Sequence, residues 1–387
     1  MTTRALRIGV VAGETSGDQL GAALIGALRA RSPGVEIRGV CGPLMRAAGC
    51  EPLAEAHELA VMGLVEVLSH LPRLLRLRGR LRKEFLAWRP DVFIGIDAPE
   101  FNLGLAARLH AAGLRTVQYV SPQVWAWRRR RVRDIARACD LVLCLLPFEP
   151  SFYARHLVRA QFVGHPLADQ IPLDVDRGAA RMALGLAADA TLVAVLPGSR
   201  RGEVARLSAD FIGAARELVT RVPAVEFIAP MASPELRAIF ERACTASAAG
   251  GARLRVLDGE ARLALQAADV ALVASGTASL EALLCRCPMV VAYRFTAMTA
   301  FLVRVLHLMR IPHFSLPNLL AGESLVPEFL QQAVSGPRLA AALQAQLEGG
   351  ERRAVLLARF REIHLSLRLD GAARAANAVL ELIGKPK

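Results

Sequence analysis

Asp97 stands at the end of an apolar run, VFIGI, and heads the segment DAPEFN at residues 97 to 102. A carboxylate at the carboxyl end of a buried strand faces whatever binds there, and it can take a proton from an attacking hydroxyl. The same group can instead cap the next helix or bind a sugar hydroxyl. A second loop, GETSGD at 13 to 18, adds Glu14, Ser16, Gly17 and Asp18. Acidic side chains in a glycine loop oppose phosphate, so this pair of loops suits a hydroxyl-rich ligand.

Two further loops have the opposite character. In ASGTASLE, 274 to 281, Ser275, Gly276, Thr277 and Ser279 are small enough for a phosphate to approach the amides of Gly276 and Thr277. Glu281, one turn into the following helix, can accept hydrogen bonds from ribose hydroxyls. An ordinary capped helix with a first-turn glutamate fits the same letters. In PGSRRGE, 197 to 203, Gly198 and Ser199 precede Arg200 and Arg201. A guanidinium there offsets charge on a departing diphosphate, unless it is simply a solvated surface residue. No G-x-x-x-x-G-K-[ST] and no G-x-G-x-x-G occurs, so ATP hydrolysis and hydride transfer lose their usual sequence support.

These loops need strands and helices to position them. RIGVVA, VEIRGV, DVFIGI, RTVQYV and DLVLCL read as buried strands separated by helical segments in the first half. TLVAVL, VEFIAP, ARLRVL, DVALVA and PMVVAY repeat the grammar in the second. Alternating strand and helix predicts parallel sheets, hence two Rossmann-like, doubly wound α/β domains facing across a cleft. The expected boundaries are 1–166, 167–350 and a C-terminal helical segment 351–387 packed on one of the two. Near the first boundary Asp174 and Asp176 spell D-x-D, a pattern seen in metal-dependent glycosyltransferases. Because it follows a linker instead of a strand, Asp176 is read as the cap of a helix starting at Arg177. His165 in VGHP is read as structural.

Composition narrows the partners. The 387 residues are 53% hydrophobic, enough for large cores. Mean hydropathy is +0.35, yet no run approaches the roughly 18 apolar residues of a spanning helix. The apolar run before Glu14 is too short for a signal peptide, so a cytoplasmic location is expected. Seven cysteines form no disulfide framework and no metal-ligand spacing, and neither metal nor cofactor is expected. Lys and Arg number 48 against 35 Asp and Glu, a net charge of +13 that favours an anionic partner. Nucleic acid is one such partner, but aromatic residues are only 5% and no zinc-finger or RNP-like pattern is present, so none is expected.

At this point the residues resemble a known family, the lipid-A-disaccharide synthases. VAGETSGD, LAVMGLVEVL, PDVFIGIDAPEFN, YVSPQVWAW, LPFE, FVGHPLAD, LPGSRRGEV, VLDGE, ASGTASLE, CPMVV and SLPNLLAG carry the likeness in order, through almost the whole chain. The resemblance implies a GT-B glycosyltransferase that acts with inversion and without metal. It implies transfer of a 2,3-diacylglucosamine unit from UDP-2,3-diacylglucosamine to 2,3-diacylglucosamine 1-phosphate, giving a β-1,6-linked disaccharide 1-phosphate and UDP. By position, Asp97 is similar to the family's essential aspartate, Arg200 to the arginine of its PGSR loop and Asn318 to the asparagine of its SLPN. Residues 275–281 match its nucleotide loop. Arg201 and Glu100 are small departures that alter local charge. A UDP-sugar 2-epimerase on the same architecture is the rival reading, sharing the nucleotide loop but needing no lipid-facing element.

Acylated substrates give meaning to two more stretches. YVSPQVWAWRRRR follows a predicted strand, so Gln123, Trp125 and Trp127 are expected along the cleft with arginines beside them. Between 59 and 88, Met62, Leu64, Val67, Leu68, Leu71, Leu74 and Leu75 recur at helical spacing among Arg73, Arg76, Arg78, Arg80, Arg82 and Lys83. Such a helix can pack on the core with a solvated basic face. With lipid substrates it is expected to rest on an anionic membrane surface, peripherally on the cytoplasmic face of the inner membrane. An oligomer is also compatible with the sequence.

Overall fold

The computed structural model describes residues 4–59, 64–125, 131–247, 252–296 and 313–384; for 64–70 it describes only the helical backbone. Met62, Trp127 and Arg128 to Arg130 lie outside the described residues, as do the side chains of Leu64, Val67 and Leu68.

The chain forms two compact units. The first runs through Asp169 and takes in the segment from Leu367 onward; the second comprises Gln170–Ser366. In the first, β1 (Arg7–Ala12), β2 (Glu36–Cys41), β3 (Glu51–Glu55), β4 (Val92–Ile96), β5 (Arg115–Tyr119), β6 (Leu141–Cys144) and β7 (Ala160–Phe162) make one parallel sheet in the order β3-β2-β1-β4-β5-β6-β7. In the second, β8 (Thr191–Leu196), β9 (Val225–Met231), β10 (Arg253–Asp258), β11 (Val270–Ala274), β12 (Met289–Tyr293) and β13 (Glu328–Leu330) are ordered β10-β9-β8-β11-β12-β13 and are again parallel. Both sheets are therefore doubly wound, with the order reversing between β1 and β4 and between β8 and β11.

Central strands must be apolar on both faces, because helices cover both. VFIGI and VALVA are buried at every position. On one face of the first sheet, helix Thr15–Arg31 buries Leu20, Leu24, Ile25 and Leu28. The terminal helix Gly371–Gly384 contributes Ala375, Ala376 and Val379 to the same core.

The chain returns to the first unit through a few well-defined bonds. His165 N–H donates to the carbonyl of Leu367 at 2.9 Å. Asp169 accepts from the amides of Asp370 and Gly371 at 3.0 and 2.7 Å. Gly164 has φ +99°, and a Cβ there would sit 2.9 Å from the Leu367 carbonyl, so only glycine fits. The preceding helix, Gly350–Leu367, belongs to the second unit for nearly its whole length. Asp176 caps the helix Arg177–Ala183 through Ala179 N–H at 2.9 Å, as its position after a linker predicts.

Candidate active site

The switch points bring the sequence's candidate loops to the carboxyl edges of adjacent strands. In the first unit the loop after β1 lies beside that after β4: a Cβ on Gly13 would meet the Ala98 Cβ at 3.0 Å. Asp97 follows β4 directly, has φ +52° and is partly exposed. Its N–H donates to the carbonyl of Tyr119 at 2.9 Å. Its carboxylate makes no hydrogen bond or ion pair with the described residues. Glu14 and Ser16 are exposed at the same edge, while Gly17 is a packing position whose absent side chain leaves room for Ala12 and the Ile96 carbonyl.

Asp18, expected among the ligand-facing groups, has another task. It is buried, and it accepts from the amides of Gly42, Leu44 and Met45 at 2.9, 2.9 and 3.0 Å. Those donors are the orphan N–H groups at the start of helix Pro43–Ala47, and a buried carboxylate is a strong acceptor for them.

Trp125 is likewise turned inward, with only 9% of its surface exposed. Its indole N–H donates to Glu149 Oε1 at 3.1 Å, and its ring packs edge-on against Phe148 at 4.9 Å. Glu149 also accepts from Leu146 N–H at 3.0 Å, and Ser121 and Tyr153 hydroxyls meet 3.0 Å apart alongside it. Burial pushes the Glu149 carboxyl up to about 7, against the opposing pull of these hydrogen bonds. Gln123 remains exposed on the loop that this network anchors. Arg131, the last of the four arginines, pairs bidentately with Glu100 at 2.5 and 2.8 Å. Glu149 was missed in sequence as a functional group; its signal was an acidic residue just past a wholly apolar strand.

In the second unit, residues 197–203 and 274–281 follow the neighbouring strands β8 and β11. Gly198 has φ +127°, and a Cβ there would strike Glu203 at 2.7 Å. Ser199 is exposed, and the Arg200 side chain is 76% exposed, with only a 3.6 Å approach to Glu203. Across the helix start, Arg201 reaches Glu235 at 3.4 Å. Gly276 precedes helix Thr277–Leu284 with φ +151° and ψ −154°, a conformation reserved for glycine, and nothing crowds it within 4 Å. Thr277 is exposed beside it, whereas Ser279 is buried and donates to the Gly276 carbonyl at 2.7 Å. Ser275 Oγ donates to Phe314 O at 3.3 Å. Glu281 is largely buried, and that burial raises its carboxyl, with Arg262 acting the other way.

Asn318, expected at the nucleotide loop, has its side-chain amide engaged by backbone groups. Wholly buried, it accepts from the amides of Leu325 and Val326 at 2.8 Å each and donates to the Val326 carbonyl at 2.9 Å, closing the turn after helix Leu316–Ala321. His165 also serves the backbone: Nδ1 accepts from Leu167 N–H at 3.2 Å, and burial lowers its pKa to about 4.

The helix Leu64–Trp88 divides its faces. Leu77, Leu81 and Phe85 are buried in the core of the first unit, with Leu74 packed beside them. Leu71 and Leu75 are 43% and 48% exposed, and Arg76, Arg82 and Lys83 are exposed too. Arg78 is held inward, over the Phe101 ring at 5.0 Å and donating to the Glu100 carbonyl at 3.1 Å. Among the described residues no helix is long and apolar enough to cross a membrane.

Two parallel sheets with the order 3-2-1-4 at each core are the GT-B glycosyltransferase architecture, and solved structures share it along their whole length. The glycotransferase of kitacinnamycin superposes with a TM-score of 0.62 at 18% identity, covering 98% of this chain and 99% of that one. The UDP-GlcNAc 2-epimerase of Neisseria meningitidis, solved with UDP-GlcNAc, superposes with a TM-score of 0.64 at 10% identity, covering 98% and 99%. At those identities the likeness is one of fold, and it does not separate transferase from epimerase.

Sequence makes that separation. Residues 8–382 match the family model for lipid-A-disaccharide synthetase. The lipid-A-disaccharide synthase of Sodalis glossinidius (strain morsitans) is 53% identical over 385 residues, all of both chains. This chain belongs to the lipid-A-disaccharide synthase family of glycosyltransferases.

Proposed function

We propose that this enzyme transfers 2,3-diacylglucosamine from its UDP-activated form to the 6-hydroxyl of 2,3-diacylglucosamine 1-phosphate, with inversion. Asp97 accepts the proton of that hydroxyl as the oxygen attacks the anomeric carbon from the face opposite UDP. The carbon–oxygen bond to the diphosphate breaks as the new β-1,6 bond forms, and a single displacement inverts the centre. Arg200, together with the amides beginning the helix at Thr277, receives the charge that develops on the departing diphosphate, so no divalent ion is required. Glu281 accepts hydrogen bonds from the ribose hydroxyls in this scheme.

The observation that carries this reading is the contrast between the two switch points. One presents a carboxylate without a partner among the described residues, suited to a hydroxyl; the other presents an exposed guanidinium and an uncrowded glycine turn, suited to a diphosphate. Leu71 and Leu75, beside exposed cationic residues, suit contact with the anionic membrane surface in which acylated substrates reside. On this reading the enzyme works peripherally, on the cytoplasmic face of the inner membrane.

The test is to incubate the purified chain with UDP-2,3-diacylglucosamine and the acceptor phosphate in the presence of EDTA. Disaccharide 1-phosphate with a β anomeric configuration and equimolar UDP are expected. A 2-epimerised UDP-sugar without disaccharide would favour the epimerase, and an α linkage would remove the single-displacement mechanism.

A further inference from the structure

We propose that Asn102 and Gln118 form an amide cradle that fixes Asp97 in its left-handed turn, which makes both of them positioning residues for transfer. The inference rests on the reading of Asp97 as the base. Two consecutive residues carrying a Cβ occupy the left-handed region here: Asp97 with φ +52° and Ala98 with φ +40° and ψ +53°. Neither is glycine, and such a pair does not persist unless its surroundings hold it.

What holds it is specific. The Asp97 carbonyl accepts from Asn102 Nδ2 at 2.8 Å and from Gln118 Nε2 at 3.1 Å, while the Asp97 N–H donates to Tyr119 O at 2.9 Å. Asn102 also lies 3.3 Å from the carbonyls of Val11 and Ile96, and Gln118 lies 3.3 Å from that of Val120. The two amides thus gather the ends of β1, β4 and β5 around one peptide. Both are fully enclosed, at 0% and 1% exposure, and their side-chain oxygens have no hydrogen-bond partner among the described residues. A buried amide whose oxygen is unpaired disfavours folding, and Gln118 is buried within the central strand Arg115–Tyr119. Burying two of them at one carbonyl is explained by what that carbonyl's peptide carries, namely the Asp97 side chain. A glycine completes the cradle: a Cβ on Gly95 would lie 2.7 Å from Asn102 Cβ and 3.1 Å from Gln118 Oε1.

Misplacing a catalytic group by about 1 Å can cost on the order of 100-fold in rate while substrate still binds. Asn102→Ala and Gln118→Ala are therefore expected to lower kcat by about 10- to 100-fold, with KM for both substrates within about twofold of the parent. All assays are run well below each variant's Tm. Should the alanine variants fail to fold, Asn102→Asp and Gln118→Glu decide the matter. Each keeps the side-chain volume but sets a carboxylate oxygen against the Asp97 carbonyl, and the same kcat loss is expected, deepening as pH rises and the new acid ionises. Folded variants with kcat unchanged, or a loss confined to KM, would overturn the cradle. Asp97→Asn is assayed alongside them. If it is inactive while the cradle variants are unimpaired, only the cradle falls; if it turns over normally, the base reading falls and the cradle with it.

Discussion

The indole N–H of Trp125 is bonded to the carboxylate of Glu149 inside the wall of the first unit, 3.1 Å from nitrogen to oxygen. That contact answers what a tryptophan beside an arginine run is doing: it anchors the loop after β5 from within. It also ties loop position to a titrating group, because burial holds the Glu149 carboxyl near 7 instead of its ordinary 4.5.

A pH dependence of stability follows. A carboxyl with a raised native pKa binds more protons folded than unfolded, so its contribution is complete below about 4.5 and is lost as pH rises through about 7. The difference amounts to about 3 kcal/mol at most. Melting temperature should fall between about pH 5 and pH 8 in the parent, and the fall should be shallower in Glu149→Gln. Parallel slopes for the two proteins would show that Glu149 does not titrate in that window.

Arg200 gives a test that separates chemistry from folding. Its side chain is mostly in solvent and its one ion pair among the described residues is long, so Arg200→Ala should leave stability within about 0.5 kcal/mol. If it receives charge from the leaving diphosphate, kcat should drop by roughly 100-fold or more. Steady-state kinetics beside thermal melts check this; an active variant, or one lost only through unfolding, would contradict it.

Asn318 predicts the reverse pattern. Asn318→Ala leaves the amides of Leu325 and Val326 unpaired, which should destabilise the enzyme by about 2 to 4 kcal/mol. Denaturant titration measures this directly, and residual activity per folded molecule should stay near the parent's. Unchanged stability with a raised KM for the UDP-sugar would return Asn318 to the ligand.

Leu71 and Leu75 test the membrane reading. Both are exposed, so replacing them with serine should leave the fold intact yet weaken flotation with vesicles rich in anionic lipid, by roughly 1 kcal/mol or more per leucine. Binding that survives both changes, or ignores anionic lipid content, would remove the helix from the interface.

Much of this was readable from sequence for a simple reason. Central strands such as VFIGI and VALVA are buried on both sides and advertise themselves as unbroken apolar runs, and the loops that follow them inherit their place from the topology. Three of the four edge strands do not: Glu51–Glu55, Ala160–Phe162 and Glu328–Leu330 are short and partly exposed, and nothing in EPLAE or EFL compels a strand. The candidate site divides along a similar line. Asp97 and Arg200 could be singled out as candidates because their loops directly follow central strands, which the topology sets at the switch points. Asp18, Ser279 and Asn318 carry the right chemistry in the right loops, but sequence does not disclose which backbone groups fall orphaned nearby and claim them. Gln118 did leave a trace, as the one amide within RTVQY, and a buried amide has to be explained by a partner.

The most direct measurement is turnover of Asp97→Asn with UDP-2,3-diacylglucosamine and the acceptor phosphate. Asparagine keeps the shape and tolerates the left-handed turn, so folding and substrate binding should persist while kcat falls by roughly 100-fold or more. A folded Asp97→Asn enzyme forming disaccharide at the parent's rate would contradict base catalysis by Asp97.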